Sequence, residues 1–257
     1  MELVVLLKPV PDLAEELEID DGGTDLSREW LNFTTSEWDE YALEEALQLK
    51  ELSGGTVTCL ALDDGSVDEL LGTCLARGAD RVIKVGSFDR QPDSHTAARA
   101  YASALGELNY DLVLTGVQAI DDLDGQVGPL VAAALDLPHV SVVTHIASSG
   151  EGTATVNQEY AGGLVAEFEV DLPAVLGVQT SRVTPRYAPV SRVRQLMRTA
   201  EMGRADAAAK GDAGLTVEAM QIPEVSGQAE MIGGDADAIA ERLVALFKER
   251  GVAGGGA

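Results

Sequence analysis

Read for its alternation of apolar and polar positions, the chain falls into short apolar runs separated by helical stretches. "LVVLL" (3–7), "TVTCLAL" (56–62), "RVIKV" (81–85), "DLVLT" (111–115) and "VSVVT" (140–144) have the length and β-branched content of strands buried on both faces. Between them, "SEWDEYALEEALQLKEL" (36–52), "SVDELLGTCLARG" (66–78), "SHTAARAYASALGEL" (94–108) and "QVGPLVAAALDL" (126–137) carry apolar residues at helical spacing. Gly78 stands where a helix is commonly ended. Ser36 with Asp39 three residues on resembles a capping box. Strand–helix–strand alternation of this kind predicts an α/β fold with a mostly parallel, doubly wound sheet covered by helices on both faces.

The rhythm changes after residue 152. "TATVNQEYAGGLVAEFEVDLPAVLGV" (153–178) holds two alternating strands about an Ala-Gly-Gly turn, which predicts a hairpin, with a third strand beyond Pro173. Residues 204–234 are rich in Ala, Gly and Asp and show no period, and "DADAIAERLVALFKERG" (235–251) closes the chain as an amphipathic helix before a fraying "AGGGA". The expected division is an α/β domain with hairpin and following loop over 1–200, and an extended arm ending in a helix over 201–257. An arm lying on another subunit and a flexible tail both account for that composition.

Charge changes the picture more than composition does. The 257 residues carry 43 acids against 18 basic residues, a net charge of −25, with the acids spread along the chain. Such a field opposes binding to nucleic acid or an anionic membrane. It suits a highly saline cytoplasm, where a Debye length of roughly 3 Å at ~1 M salt screens self-repulsion, and a halophilic source is the reading taken. No apolar run is long enough to span a bilayer, so a cytoplasmic chain is expected. Cys59 and Cys74 lie in apolar stretches and read as inert buried thiols. His95, His139 and His145 have no partner legible in the sequence and read as structural.

The stretch "TGVQAIDDLDGQVGP" (115–129) crowds Asp121, Asp122 and Asp124 against Gly125, Gly128 and Pro129 just before a helix start. Parallel sheets bind ligands at the carboxyl ends of their strands, where a helix start offers unpaired amides and a positive dipole end. Glycines let a ligand approach the backbone, and proline is tolerated in a first turn. Amides could therefore hold a phosphate while the aspartates turn toward ribose hydroxyls or the sheet, with Gln118 and Gln126 bonding sugar or base. On spacing alone a plain connection, in which the acids only favour the helix dipole, is equally open. The stretch is neither a Walker A loop nor a GxGxxG fingerprint, and a metal site built from the three aspartates lacks a further ligand.

"DLVLTGVQAIDDLDGQVGP" resembles the signature of the electron transfer flavoprotein β subunit. "DEYALEEALQLKE" (39–51), "ARGADRVIKV" (76–85) and "LPAVLGVQTSRVTPRYAPVSRVRQLMR" (172–198) agree with that family in order and spacing, so the likeness covers nearly all of residues 1–200. The resemblance implies an adenine-nucleotide α-hydrolase-like α/β fold and a heterodimer with an α subunit that carries the redox FAD. It implies AMP in this subunit, or a second FAD in bifurcating members. The nucleotide would be held by Leu6, the helix start at Ser36, the backbone near Leu62, and Gly116, Gln118, Ala119, Asp121, Asp122, Gly125, Gln126, Val127 and Gly128. Trp38 aligns with an aromatic position that approaches the α-subunit flavin, while a core position on the helix face remains the other reading. "PRYAPVSRVRQ" resembles a recognition loop for partner dehydrogenases, with Val190 as apolar anchor, Tyr187 beside it, and Arg186, Arg192 and Arg194 around it. Arg182 and Arg198 extend that basic cluster, which could alternatively fold onto the protein's own acids. Ser36 and Glu37 depart from an Asn-Pro pair common in the family, Leu123 and Gly125 from more polar residues, and Val190 from a longer aliphatic. The implied role is an electron carrier without substrate turnover, linking acyl-CoA-type dehydrogenases to a membrane quinone oxidoreductase without itself entering the membrane. A stand-alone ATP-binding enzyme or stress protein of related fold, and a non-redox scaffold with a vestigial site, are the alternatives.

Overall fold

The structure is a computed structural model that describes residues 1–148, 152–207, 214–223, 227, 229 and 231–252. Met1–Met220 form one compact unit and Gln221–Ala257 a second. The closing "AGGGA" lies outside the described residues.

In the first unit, β1 (Glu2–Leu7), β4 (Thr56–Leu62), β5 (Arg81–Val85), β6 (Leu112–Gly116), β7 (His139–Ser148) and β10 (Ala174–Val178) are the apolar runs. Alternate residues of each face opposite sides. Leu3, Val5 and Leu7 join one core cluster and Val4 and Leu6 the other. The first cluster is covered by α1 (Glu37–Ser53) and α2 (Val67–Arg77), the second by α3 (Ser94–Leu105) and α4 (Val127–Leu135). That two-sided cover is the doubly wound arrangement the alternation predicts.

With the hairpin strands β8 (Thr153–Tyr160) and β9 (Leu164–Asp171) and the short β11 (Gly203–Ala205), the sheet runs β11-β5-β4-β1-β6-β10-β7-β8-β9. Pairing is parallel from β11 to β7 and antiparallel through β8 and β9. The chain therefore builds outward from β1 through β4 and β5, then crosses back to β6 on the other side. The direction of winding reverses between β1 and β6, where such sheets form a crevice.

Several local expectations need correction. The strand expected at 140–144 runs to Ser148, because its second half pairs with the hairpin, so His145 lies inside it. Ser36 does precede α1, but its side chain makes no capping bond and Asp39 serves another purpose. Gly78 ends α2 with φ 123°, its N–H reaching Cys74 and Leu75 carbonyls. The small ribbon of β2 (Pro9–Pro11) and β3 (Phe33–Thr35), the edge strand β11, and α5 (Val190–Thr199) have no counterpart in the apolar pattern. The first two are three-residue strands, too short to show a period. In α5 only Val193 is buried, so no apolar face is written over enough turns to be read.

The second unit holds α6 (Ala236–Glu249), whose Asp235 side chain caps the Ala238 N–H at 2.9 Å. None of its residues is buried; Leu243, Val244 and Phe247 stay exposed.

Candidate functional site

Pairing of β1 with β6 stops at Val5 and Leu114, although each strand continues. Beyond that point the two backbones need another acceptor, since an unpaired buried N–H is costly. Asp39, from the first turn of α1, supplies it. Its carboxylate accepts from the Lys8 N–H at 2.7 Å and the Gly116 N–H at 2.8 Å. Burial pushes its pKa up to about 7, against the lowering effect of those two donors. Gly116 has to be glycine here: a Cβ would stand 2.5 Å from an Asp39 carboxylate oxygen and 2.9 Å from its backbone nitrogen.

Over this floor lies a cleft that opens to solvent. Leu6, Leu62, Pro92 and Ala97 give it apolar walls, and the loop from Gly116 to Val127 forms one rim. That loop folds on itself. Leu123 and Gly125 adopt φ of 51° and 65°, Leu123 N–H reaches the Ala119 carbonyl at 2.8 Å, and Asp122 accepts from the Asp124 N–H at 3.0 Å. Gln126, at the N-cap of α4, makes no capping bond and donates to Asp124 at 2.7 Å. The first-turn amides of Val127 and Gly128 are thus left without a side-chain cap.

Two of the three loop acids turn toward the sheet, while Asp124 stays beside the helix start and accepts from Gln126. Lys8 Nζ binds Asp121 at 2.8 Å and Asp122 at 2.7 Å, drawing both carboxylates to the end of β1. Burial alone would lower the Lys8 pKa, but the two aspartates outweigh it and raise it. The pattern of charges and glycines therefore has a third member, a lone lysine directly after a buried strand.

Leu6, Leu62, Gly116, Gln118, Ala119, Asp122, Gly125, Gln126 and Val127 line the cleft together. Asp121 stands beside it through Lys8. Ser36 does not reach it: the residue is fully buried and its hydroxyl points to the Gln118 carbonyl at 3.5 Å. Trp38 is half-buried outside the lining, its Cβ close to where a Gly116 Cβ would stand. Gly128 faces inward, toward the Thr115 hydroxyl and His139. Sequence reading missed Lys8, Asp39, Gln91, Ser94 and Tyr101 as lining residues. Gln91 donates to the Leu62 carbonyl at 3.2 Å and the Tyr101 hydroxyl to the Leu7 carbonyl at 3.0 Å, so both brace strand ends. Burial, then the nearby Asp39, keeps Tyr101 a phenol.

A second region follows β10. Arg186 is turned inward: its guanidinium meets Glu44 at 2.8 Å and Glu51 at 2.6 Å. Burial alone would raise the Glu44 pKa, but Arg186 outweighs it and lowers it. Tyr187 and Val190 are 80% and 52% exposed. The Arg192 guanidinium donates to Gln195 at 3.2 Å, and Arg194 and Arg198 are exposed. Of the expected loop arginines, then, Arg186 does fold onto the protein's own acids, while the others face outward.

His139 Nδ1 donates to the Val175 carbonyl, 2.9 Å away, and burial lowers its pKa. His145 is lowered by burial and by Arg182, so its 3.9 Å approach to Glu45 is not an ion pair near neutrality. Cys59 and Cys74 are buried free thiols within hydrogen-bonding reach of each other, which raises the Cys59 pKa. Among the described residues no group of three or more His, Cys, Asp or Glu is placed to hold a metal, and no helix is long and apolar enough to cross a membrane.

Residues 26–223 match the family model described as the electron transfer flavoprotein domain. The electron transfer flavoprotein subunit beta of Methylophilus methylotrophus is 32% identical over 97% of this chain and 98% of that protein. The subunit of the same name from Clostridium acetobutylicum is 33% identical over 97% and 98%. That from Syntrophomonas wolfei is 38% identical over 73% of each chain.

Proposed function

The chain belongs to the electron transfer flavoprotein family, with β-subunit relatives along its whole length, and from that premise we propose that it holds an adenine nucleotide in the cleft at the β1/β6 crevice. The carrying observation is that Lys8 draws Asp121 and Asp122 aside while the amides at the start of α4 stay uncapped. This turns two of the three acids from a phosphate at the helix start, and the third, Asp124, is engaged by the Gln126 side chain.

The residues present fit such a group. Uncapped amides with a helix dipole behind them suit a phosphate. Leu6, Leu62, Pro92 and Ala97 offer apolar contact to a base, and Gln118 and Gln126 offer neutral hydrogen bonds to a sugar. The nucleotide is AMP, or the adenylate half of a second FAD. As partner we infer an α subunit carrying the redox FAD, with Trp38 beside the subunit boundary and the arm and α6 packing on that subunit through Leu243, Val244 and Phe247. FAD supplies the electron-carrying chemistry. This chain contributes packing, hydrogen bonds and charge around it.

Electrons would enter from acyl-CoA-type dehydrogenases docking at Tyr187 and Val190, with Arg192 and Arg194 at the rim, and leave toward a membrane quinone oxidoreductase. The excess of acids fits a saline cytoplasm. Co-expression with a candidate α subunit tests the reading. A yellow heterodimer yielding one adenine nucleotide per β subunit on extraction supports it, and counting flavins separates AMP from a second FAD. A colourless monomer that hydrolyses ATP, or a complex free of nucleotide, overturns it.

A further inference from the structure

Two consecutive glutamates of α1 are buried where the segment after β10 crosses the helix, and neither contributes to the crevice. Glu44 accepts from Arg186 three times: from its backbone N–H at 3.0 Å, from Nε at 3.0 Å and from Nη2 at 2.8 Å. Glu45 accepts from the Ser181 hydroxyl at 2.6 Å and from the Ile146 N–H at 3.3 Å. The span from 181 to 186 is thus strung between adjacent side chains of one helix. Its far end is seated as well. Val193 is buried, and Met197 and Val193 pack where a Cβ on Gly72 would stand. Between the two anchorages, Tyr187 and Val190 stand exposed.

Burying paired carboxylates gains little net stability, and removing one partner leaves an unpaired charge. A plain surface connection has no need of such a device. A loop whose shape must be set before an encounter does, because ordering it at the moment of binding costs affinity.

We propose that Glu44 and Glu45 are positioning residues for partner docking, holding Ser181 and Arg186 so that Tyr187 and Val190 are presented together to an apolar notch on an acidic protein. The inference rests on the docking role proposed above. The partner's charge follows from this chain's own. Residues 181–200 contain five arginines and no Asp or Glu, in a chain of net charge −25. Glu44 and Glu51 take up the charge of Arg186, whereas Arg192, Arg194 and Arg198 pair with no carboxylate among the described residues. An acidic partner would be steered to that patch and away from the rest of the surface.

The test uses the intact heterodimer and an acyl-CoA dehydrogenase reduced by its acyl-CoA, following electron transfer at varied dehydrogenase concentration. Glu44→Gln and Arg186→Gln are each expected to raise KM for the dehydrogenase between about 3- and 10-fold, with kcat and the flavin spectrum unchanged. The double variant should be no worse than either single one, as for two residues acting through one contact. Glu45→Gln should act in the same direction. Should either single variant fail to fold, the double variant, which leaves no buried charge unpaired, carries the test. If Tyr187→Ala and Val190→Ala raise KM while Arg186→Gln does not, the positioning role is wrong and docking stands. If wild type takes no electrons from the dehydrogenase, or neither Tyr187→Ala nor Val190→Ala changes KM, the docking role itself falls and the inference with it.

Discussion

Asp39 Oδ1 lies 2.8 Å from the backbone nitrogen of Gly116, while the other oxygen of the same carboxylate lies 2.7 Å from the nitrogen of Lys8. One buried side chain from α1 thus joins the ends of β1 and β6 where their own pairing has stopped. The floor of the cleft is set by this join. It sacrifices the solvation of a charge in order to satisfy the amides of Lys8 and Gly116.

That arrangement makes stability depend on pH in a stated direction. Burial raises the folded-state pKa of Asp39 from 3.8 to about 7. Folding therefore favours the neutral acid: the contribution is complete below the unfolded value and is lost as pH climbs through about 4 to about 7. At ~1.4 kcal/mol per pH unit the loss amounts to about 4 kcal/mol. Asp39→Asn cannot ionise, so thermal unfolding of both proteins between about pH 5 and about pH 8 isolates the group. The advantage of the wild type over the variant should shrink as pH rises. A gap that widens with pH would mean that the two amides, and not burial, dominate Asp39.

Gly116→Ala should destabilise the protein by about 2–3 kcal/mol, the cost of overpacking a filled site. The new Cβ meets a carboxylate oxygen at 2.5 Å, Trp38 Cβ at 2.8 Å and a backbone nitrogen at 2.9 Å, and a helix start cannot retreat as a side-chain tip can. Urea unfolding measures it. Gly22→Ala is the control: its nearest contacts are the Asp20 carboxylate at 3.4 Å, an ordinary distance, and it should change stability little. Equal effects at the two positions would remove the special status of Gly116.

Lys8 is the counter-ion that draws Asp121 and Asp122 to the end of β1. Lys8→Met should weaken AMP binding to nucleotide-stripped protein by about tenfold or more, since two carboxylates lose a partly buried partner near an incoming phosphate. The side chain contributes its charge and not its bulk, so adding Asp121→Asn and Asp122→Asn to Lys8→Met should recover most of the loss. Titration calorimetry decides the matter. Affinity left low in the triple variant would show that Lys8 acts on the phosphate directly or through packing.

How far the chain could be read follows from the range of each signal. β4 and β5 are legible residue for residue, because each is a short β-branched run bounded by glycine or by charged residues. The loop at 116–128 is legible as a candidate site, because acids and glycines before a helix start are in conflict unless something resolves them. What resolves the conflict was not legible. Lys8 lies more than a hundred positions from Asp121 and Asp122, and only the parallel pairing of β1 with β6 brings them together. Asp39 was misread for a related reason: spacing of three from Ser36 fits a local cap, while its actual partners are backbone groups of two distant strands. Arg186 looks in sequence like one of several exposed arginines, and nothing local marks it as the one turned toward Glu44.

The charge of the whole chain sets a last expectation. With a net charge of −25, the folded state concentrates like charges that the unfolded chain spreads apart. Raising KCl from ~0.1 M to ~1 M shortens the Debye length from roughly 10 Å to roughly 3 Å. Repulsion between acids more than one side chain apart is then removed, while partly buried pairs such as Lys8 with Asp121 are screened much less. Thermal unfolding should therefore shift upward by at least about 5 °C, equivalent to ~1–2 kcal/mol for a domain of this size. An uncharged osmolyte matched in osmolality separates screening from exclusion effects, and it should give a smaller shift. A melting temperature that stays level or falls as KCl rises would mean that short ion pairs outweigh the global repulsion, and the reading of a saline cytoplasm would have to be given up.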